Sequence, residues 1–228
     1  MIIESMLLIV GGYLLGSIPT AYLVGRWIKD LDLRQYGSGT VSGSMVWEHV
    51  ARWAVVPVGL FDILKAALPA WLGLRLDLGM SVAVAAGLAA VAGHNWPVFL
   101  RFTGGRGLGG FLGVLLVVFP WGCPWMLAAL AIGWLLGDSA PWALVALVTL
   151  PLWSYVLGSP EIVIPLVGGM LVLTLGKRLE ANRRPLPPPG LERRRVIALR
   201  LFFDRDIVSH SDWIQRKPDQ TSSEGKDS

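Results

Sequence analysis

GLGGFLGVLLVVFPWGCPWMLAALAIGWLLGDSAPWALVALVTLPLWSYVLGSPEIVIPLVGGMLVLTLG, Gly107 to Gly176, runs for 70 residues without a lysine or arginine, and its only acids are Asp138 and Glu161. No water-facing surface can be built from such a stretch. It divides into apolar segments at about 107–121, 123–137, 141–157 and 161–176, and similar segments precede it at about 3–25, 52–73 and 77–93. A straight helix needs about 20 residues to cross a bilayer, so the later segments are short. The expectation is an all-α, polytopic integral membrane bundle of about seven transmembrane helices.

Composition agrees with that reading. Of 228 residues 54% are hydrophobic and only 16% charged, against about 25% charged in a soluble domain, and mean hydropathy is +0.57. The 27 glycines and 15 prolines are tolerable in membrane helices whose neighbours satisfy the freed backbone groups. Gly11, Gly12 and Gly16, and Ala85, Ala86, Ala89 and Ala90, would let helices approach closely. Trp27, Trp47, Trp53, Trp71 and Trp96 fall near segment ends and read as interfacial anchors. The start, MIIESMLLIVGGYLLGSIPTAYLVGRW, has no basic leader and no cleavage motif, so it is expected to be a retained helix.

Charge sets an orientation. Twelve of the 20 Lys and Arg lie between Lys177 and Lys226, so the net +4 describes a basic tail on a nearly neutral body. With the N-terminus outside, Arg26, Lys29, Arg34, Arg52, Arg101, Arg106 and the tail fall inside, and only Arg75 falls opposite. That asymmetry favours an odd number of spans and a cytoplasmic C-terminus. No platform of interleaved aromatic and basic residues accompanies the tail, so nucleic acid is not expected as a partner and membrane lipid is. A lone Cys123, and His49, His94 and His210 without ligand spacing, point to no disulfide and no metal.

Two regions are expected: a transmembrane body, 1–184, and a cytoplasmic tail, 185–228. The run Pro185-Leu186-Pro187-Pro188-Pro189-Gly190 breaks any continuing helix. Leu191 to Val208 mixes arginines with apolar residues as an interfacial helix would. The polar end from about Gln215 reads as disordered. Such a tail could also serve a protein partner, and nothing in the sequence sets an oligomeric state.

Polar information is concentrated in two connections and one intramembrane pair. The first holds Asp32, Arg34 and Gly37-Ser38-Gly39-Thr40-Val41-Ser42-Gly43-Ser44, where small residues bend the backbone and can offer N–H groups and hydroxyls to an anion. A flexible solvated loop is the plainer alternative. The second holds Gly93-His94-Asn95 and Gly104-Gly105-Arg106-Gly107, an anion cradle at a helix start or simply a tight re-entry turn. It is not a Walker loop, which would end in Gly-Lys-Ser or Gly-Lys-Thr. Asp62 and Lys65, three apart, share a helix face in an apolar segment, where charges need partners or a wet cavity.

Taken in order, Gly16-Ser17-Ile18-Pro19, Asp32-Leu33-Arg34, Gly37-Ser38-Gly39, Phe61-Asp62-Ile63-Leu64-Lys65, Leu68-Pro69, Gly93-His94, Pro97 and Gly104-Gly105-Arg106-Gly107 resemble the bacterial acyl-phosphate:glycerol-3-phosphate acyltransferase family, PlsY. The resemblance implies a multi-pass enzyme of the bacterial inner membrane with no organic cofactor. It would transfer a fatty acyl group from acyl phosphate to sn-glycerol 3-phosphate, giving 1-acylglycerol 3-phosphate and phosphate for phospholipid synthesis. Carried onto this chain, it implies Ser38, His94 and Arg106 as catalytic residues. Substrate contacts fall to Arg34, Gly37, Gly39, Thr40, Asp62, Lys65, Gly104, Gly105 and Gly107. The family's Asn after Gly-Ser-Gly is Thr40 here, its following Arg is Glu48, its second-loop Lys is Arg106, and the late His-Arg-x-Asn pattern becomes Lys177-Arg178-Leu179-Glu180. Two other classes fit the same residues. One is a catalytically weakened homologue that binds phosphorylated lipid precursors or regulates a lipid enzyme. The other is a transporter or channel, which should carry polar contacts across the midplane, of which the late segments are nearly devoid.

Overall fold

The computed structural model describes residues 1–215. The polar end beyond Gln215, expected to be disordered, lies outside the described residues. The chain is all-α: α1 (Ile2–Gly16), α2 (Thr20–Lys29), a single turn α3 (Gly43–Met45), α4 (Val55–Arg75), α5 (Met80–Asn95), α6 (Leu108–Val118), α7 (Gly122–Leu135), α8 (Ser139–Val156), α9 (Pro160–Glu180), α10 (Leu191–Phe203) and α11 (His210–Ile214).

Five stretches have the length and apolarity to cross a membrane, 2–29, 52–75, 80–100, 139–156 and 161–183, and α6 and α7 are shorter apolar helices. At about 1.5 Å per residue the 11 residues of α6 extend roughly 16 Å, about half of a 30 Å hydrocarbon layer. The expected count of seven is therefore five helices of spanning length plus a short hairpin. Both ends of that hairpin, Gly107 and Gly137, open on the same cavity.

The first apolar segment is two helices rather than one. Pro19 has no N–H and disfavours helical backbone at Ile18, so α1 stops at Gly16 and α2 starts at Thr20. The break exposes the Ile18 carbonyl, which accepts a hydrogen bond from Lys65 Nζ at 3.1 Å. The break at Pro19 thus supplies an acceptor for an ammonium of another helix.

Close helix contacts use the small residues, though not all of them. A Cβ on Gly12 would lie 2.7 Å from the Ala86 carbonyl, and one on Gly16 would fall inside the Ala90 backbone, whereas Gly11 faces open space. Hence α1 lies flush on α5, and α4 packs between α5 and α6. Phe111, Leu115, Leu147, Leu150, Leu166 and Met170 form the fully buried centre of the main core. Leu7, Val56, Leu152 and Val172 are exposed, as side chains facing lipid should be.

The first connection is not a flexible loop. Leu33, Met45, Val46 and Val50 are buried with Ala54 and Val58 in a second core. Nor does the described part of the 185–228 region stand apart, because α10 packs on α8 and α9. The helix expected over Leu191 to Val208 ends at Phe203, where Asp204 takes a left-handed conformation, φ 57°.

Candidate active site

A cavity of about 610 Å³ opens where the connections on one end of the bundle meet. Its walls are Ser38, Thr40 and Ser42 from the first connection, Asp62 of α4, His94 of α5, and Arg106 to Gly109 at the start of α6. Asp138 to Ala140 at the start of α8, Thr174, Lys177 and Arg178 of α9, and Asp204, His210 and Trp213 beyond α10 add to it.

The two glycine loops touch. Val41 N–H donates to the Gly104 carbonyl at 3.2 Å, and Gly105 N–H donates to the His94 carbonyl at 3.1 Å. Asn182 ties both together, its Nδ2 donating to the carbonyls of Gly39 (2.8 Å) and Gly104 (3.4 Å). Gly105 has no room for a Cβ beside the His94 ring. Gly107, at φ 77°, turns the chain into α6. The loop N–H groups expected to cradle an anion are therefore partly consumed by the loops themselves. The first-turn N–H groups of α6, which have no partners within a helix, border the cavity at Leu108 and Gly109.

Hydroxyls form a ladder along the first connection. Ser38 Oγ and Thr40 Oγ1 are 2.6 Å apart, Thr40 Oγ1 and Ser42 Oγ 3.1 Å, and Ser42 Oγ and Ser44 Oγ 3.0 Å. Thr40 thus continues a hydrogen-bonded chain that starts at Ser38.

Asp62 links the membrane-embedded charges. Its Oδ1 is 2.8 Å from Lys65 Nζ and 3.5 Å from His94 Nδ1. Lys65 is only 2% exposed and turns toward the α1–α2 break, away from the main cavity, while His94 lines it. The carboxylate therefore sits between the imidazole and the ammonium.

Arg106 reaches the cavity with its Nε 2.8 Å from Asp204 Oδ2, and its Nη1 donates to the Lys177 carbonyl at 3.0 Å. Arg34 does not share this mouth. Asp32 binds its fork, with Nε to Oδ1 at 2.9 Å and Nη2 to Oδ2 at 2.6 Å, and Arg34 lies outside the cavity lining. Those hydrogen bonds hold the Asp32 carboxyl below its usual range, against the opposing effect of burial. A two-residue spacing made this local pair more accessible to Arg34 than a distant ligand. Gly37, Gly39, Gly104 and Gly105 shape the loops behind the lining, and Gly107 is in it.

The end of α9 contributes more to the site than its sequence pattern indicates. Lys177 Nζ donates to Glu180 Oε2 at 2.9 Å and lies 5.3 Å over the half-buried Trp96 ring. Arg178 donates to the carbonyls of Leu201 (2.6 Å), Phe202 (3.2 Å) and Ala140 (2.6 Å). Ala181, Asn182 and Arg183 all have positive φ. This bulge brings Asn182, rather than Glu180, back to the glycine loops, and a register without gaps cannot show it. Glu48, where the resemblance places an arginine, is exposed and outside the lining. Among the described residues no group of three or more His, Cys, Asp and Glu side chains is placed to hold a metal ion.

Serine hydroxyl, imidazole, guanidinium and a helix start around one cavity can bind a phosphate and stabilise a transferring acyl group. Residues 6–184 match the family described as glycerol-3-phosphate acyltransferase. Glycerol-3-phosphate acyltransferase 5 of Dehalococcoides mccartyi is 38% identical over 216 residues, covering 91% of each chain. Acyltransferase 4 of the same species is 37% identical over 224 residues, covering 92% of this chain and 93% of its own. A crystal structure of PlsY, an integral membrane glycerol 3-phosphate acyltransferase in its glycerol 3-phosphate form, is similar with a TM-score of 0.70 and 30% identity. That likeness covers 79% of this chain and 91% of the other.

Proposed function

The chain belongs to the glycerol-3-phosphate acyltransferase family, and from that premise we propose that it moves a fatty acyl group from acyl phosphate to the primary hydroxyl of sn-glycerol 3-phosphate. The acceptor oxygen attacks the acyl carbonyl carbon, the bond from that carbon to the phosphate oxygen breaks, and the hydroxyl proton leaves with the departing phosphate. The products are 1-acylglycerol 3-phosphate and inorganic phosphate. Because acyl phosphate has a good leaving group, no nucleophilic side chain is needed.

The observation that carries this reading is the convergence of Ser38, His94 and Arg106 on one cavity beside the start of α6. Arg106 and the α6 N–H groups suit phosphate oxygens. The Ser38 and Thr40 hydroxyls suit the reacting hydroxyl or the carbonyl oxygen. His94, oriented by Asp62, completes the polar wall. Thr40 and Ser42 extend a hydroxyl surface for the acceptor, and the apolar bundle takes the acyl chain.

The protein is a polytopic helical membrane protein. We place it in the bacterial inner membrane with seven embedded helices, the N-terminus outside, and the cavity and the 185–228 region cytoplasmic. The α6–α7 hairpin leaves and rejoins the cavity end, so five full spans or seven give the same orientation, and the charge asymmetry chooses its sign.

The test is purified protein in lipid nanodiscs supplied with acyl phosphate and glycerol 3-phosphate. The expected result is equimolar release of lysophosphatidic acid and phosphate. A second reading, a homologue that binds phosphorylated precursors without turnover, is favoured by the engagement of Arg106 with Asp204. Binding of glycerol 3-phosphate with no phosphate release would establish it instead.

A further inference from the structure

Past the family's matched residues, 6–184, the chain turns back over the cavity. The Dehalococcoides mccartyi relatives align over 91–92% of this chain, which carries their alignments into α10, so they share the added segment. It is firmly anchored. Arg200, 2% exposed, donates to the carbonyls of Leu179 (3.1 Å), Arg184 (3.2 Å) and Pro185 (3.3 Å) and pairs with Asp206 at 2.5 Å. Arg178 holds the last turn of α10. Arg205 pairs with Asp138 before α8, His49 Nε2 lies 3.0 Å from the Ile214 carbonyl, and the Arg184 guanidinium lies 4.2 Å over the Trp213 ring.

These anchors hold Asp204 at the cavity wall. The left-handed turn at the end of α10 places Oδ2 2.8 Å from Arg106 Nε. The side chain is 18% exposed, so it meets the cavity rather than a sealed core. Its Oδ1 is buried with no hydrogen-bond partner among the described residues. Burial pushes the Asp204 carboxyl up, while Arg106, Arg178 and Lys177 oppose that effect. A carboxylate held there by an ion pair, with neither its Oδ1 nor Arg106 Nε in a hydrogen bond among the described residues, costs stability, so fold stability alone does not account for it. The neighbouring cations have acceptors of their own: Lys177 has Glu180, Arg178 has three carbonyls, and Arg205 has Asp138.

We propose that Asp204 is an intramolecular anion seated where Arg106 receives phosphate, so that a phosphate-bearing substrate binds by exchanging with it. The added C-terminal segment thereby sets the affinity of the site. The proposal rests on the preceding reading in taking Arg106 as a phosphate ligand. A phosphate dianion and a carboxylate on one guanidinium repel each other, and release of Asp204 relieves that repulsion. Asp204 acts through Arg106 and is a positioning residue rather than a catalytic one.

Calorimetric titration of full-length protein in nanodiscs with inorganic phosphate alone tests this without requiring turnover. Asp204→Asn, nearly isosteric, is expected to bind phosphate at least tenfold more tightly than wild type, and Asp204→Glu is expected to resemble wild type. Adding Arg106→Ala to Asp204→Asn should abolish the gain. In turnover, Asp204→Asn should lower KM for glycerol 3-phosphate with kcat little changed. Phosphate affinity equal to or below wild type in a normally folded Asp204→Asn overturns the proposal, as does a gain that survives Arg106→Ala. If Asp204→Asn does not fold, Arg200→Gln loosens the segment from outside the cavity, and unchanged phosphate affinity there is equally fatal. Absence of acyl transfer alongside the expected binding pattern would remove only the enzymatic reading.

Discussion

Ser38 and Arg106 occupy different walls of the same cavity, and their substitutions should fail in different ways. Arg106→Ala removes a charge-assisted contact worth roughly 1.5–3 kcal/mol, so KM for glycerol 3-phosphate should rise about tenfold or more with a smaller effect on kcat. Ser38→Ala should instead lower kcat by about 10²-fold, as loss of a donor to a developing charge does, with the thermal midpoint nearly unchanged. Steady-state kinetics in nanodiscs separates the two, and equal loss of kcat and KM in both variants would place neither residue correctly. The pair behind His94 offers a second test. Asp62→Ala leaves the ammonium of Lys65, 2% exposed, without its carboxylate, a loss of about 3–5 kcal/mol for a buried pair. The double change Asp62→Leu with Lys65→Met should recover most of that stability, because two apolar groups need no solvation. It should not recover activity, because His94 loses its orienting carboxylate. Thermal unfolding and turnover measured on the same samples check both halves.

Helices set these side chains through contacts in which single atoms matter. The α1–α5 contact has no space for a Cβ at Gly16 and ample space at Gly11. Gly16→Val should therefore push α1 off α5 and cost about 1–3 kcal/mol or more, while Gly11→Val, a neighbour in sequence with the same hydropathy change, should be silent. Comparable midpoints for the two variants would mean that the helices do not pack as described. Displacement of α1 should also weaken turnover, since the Ile18 carbonyl that solvates Lys65 sits at its end. The added α10 follows the same logic. Its buried Arg200 is held by carbonyls of α9 and of the proline run, so this helix belongs to the packed structure.

Across the whole molecule, one end of the bundle carries the cavity. Single cysteines in a Cys123→Ser background at Gln35, Arg101, Gly137 and Glu192, all exposed, should be labelled from one side of the membrane. Asp77 and Ser159, in the turns after α4 and α8 and exposed as well, should be labelled from the other as cysteines. Gly137 decides most, because it reports where the α6–α7 hairpin returns. Labelling of Gly137→Cys with Asp77→Cys would reject the shared cavity.

The 70-residue stretch without a basic residue was enough to determine an all-α membrane bundle, because lipid admits few other ways to satisfy an apolar backbone. The uneven placement of Lys and Arg likewise supplied an expectation of orientation, which labelling tests. The small-residue loops around Ser38 and Arg106 and the Asp62–Lys65 spacing marked the polar places, since glycine, hydroxyl and embedded charge each stand out locally. Tertiary structure decided which of these meet. Arg34 was lost to Asp32 two residues away, whereas Asn182 was gained from a bulge whose three positive φ values no linear register displays. The engagement of Arg106 by Asp204 spans nearly a hundred positions and exists only because α10 folds back on α8 and α9. Local patterns follow from the chemistry of neighbouring residues, but pairing between distant charges depends on where packed helices end, and that is a property of the folded chain.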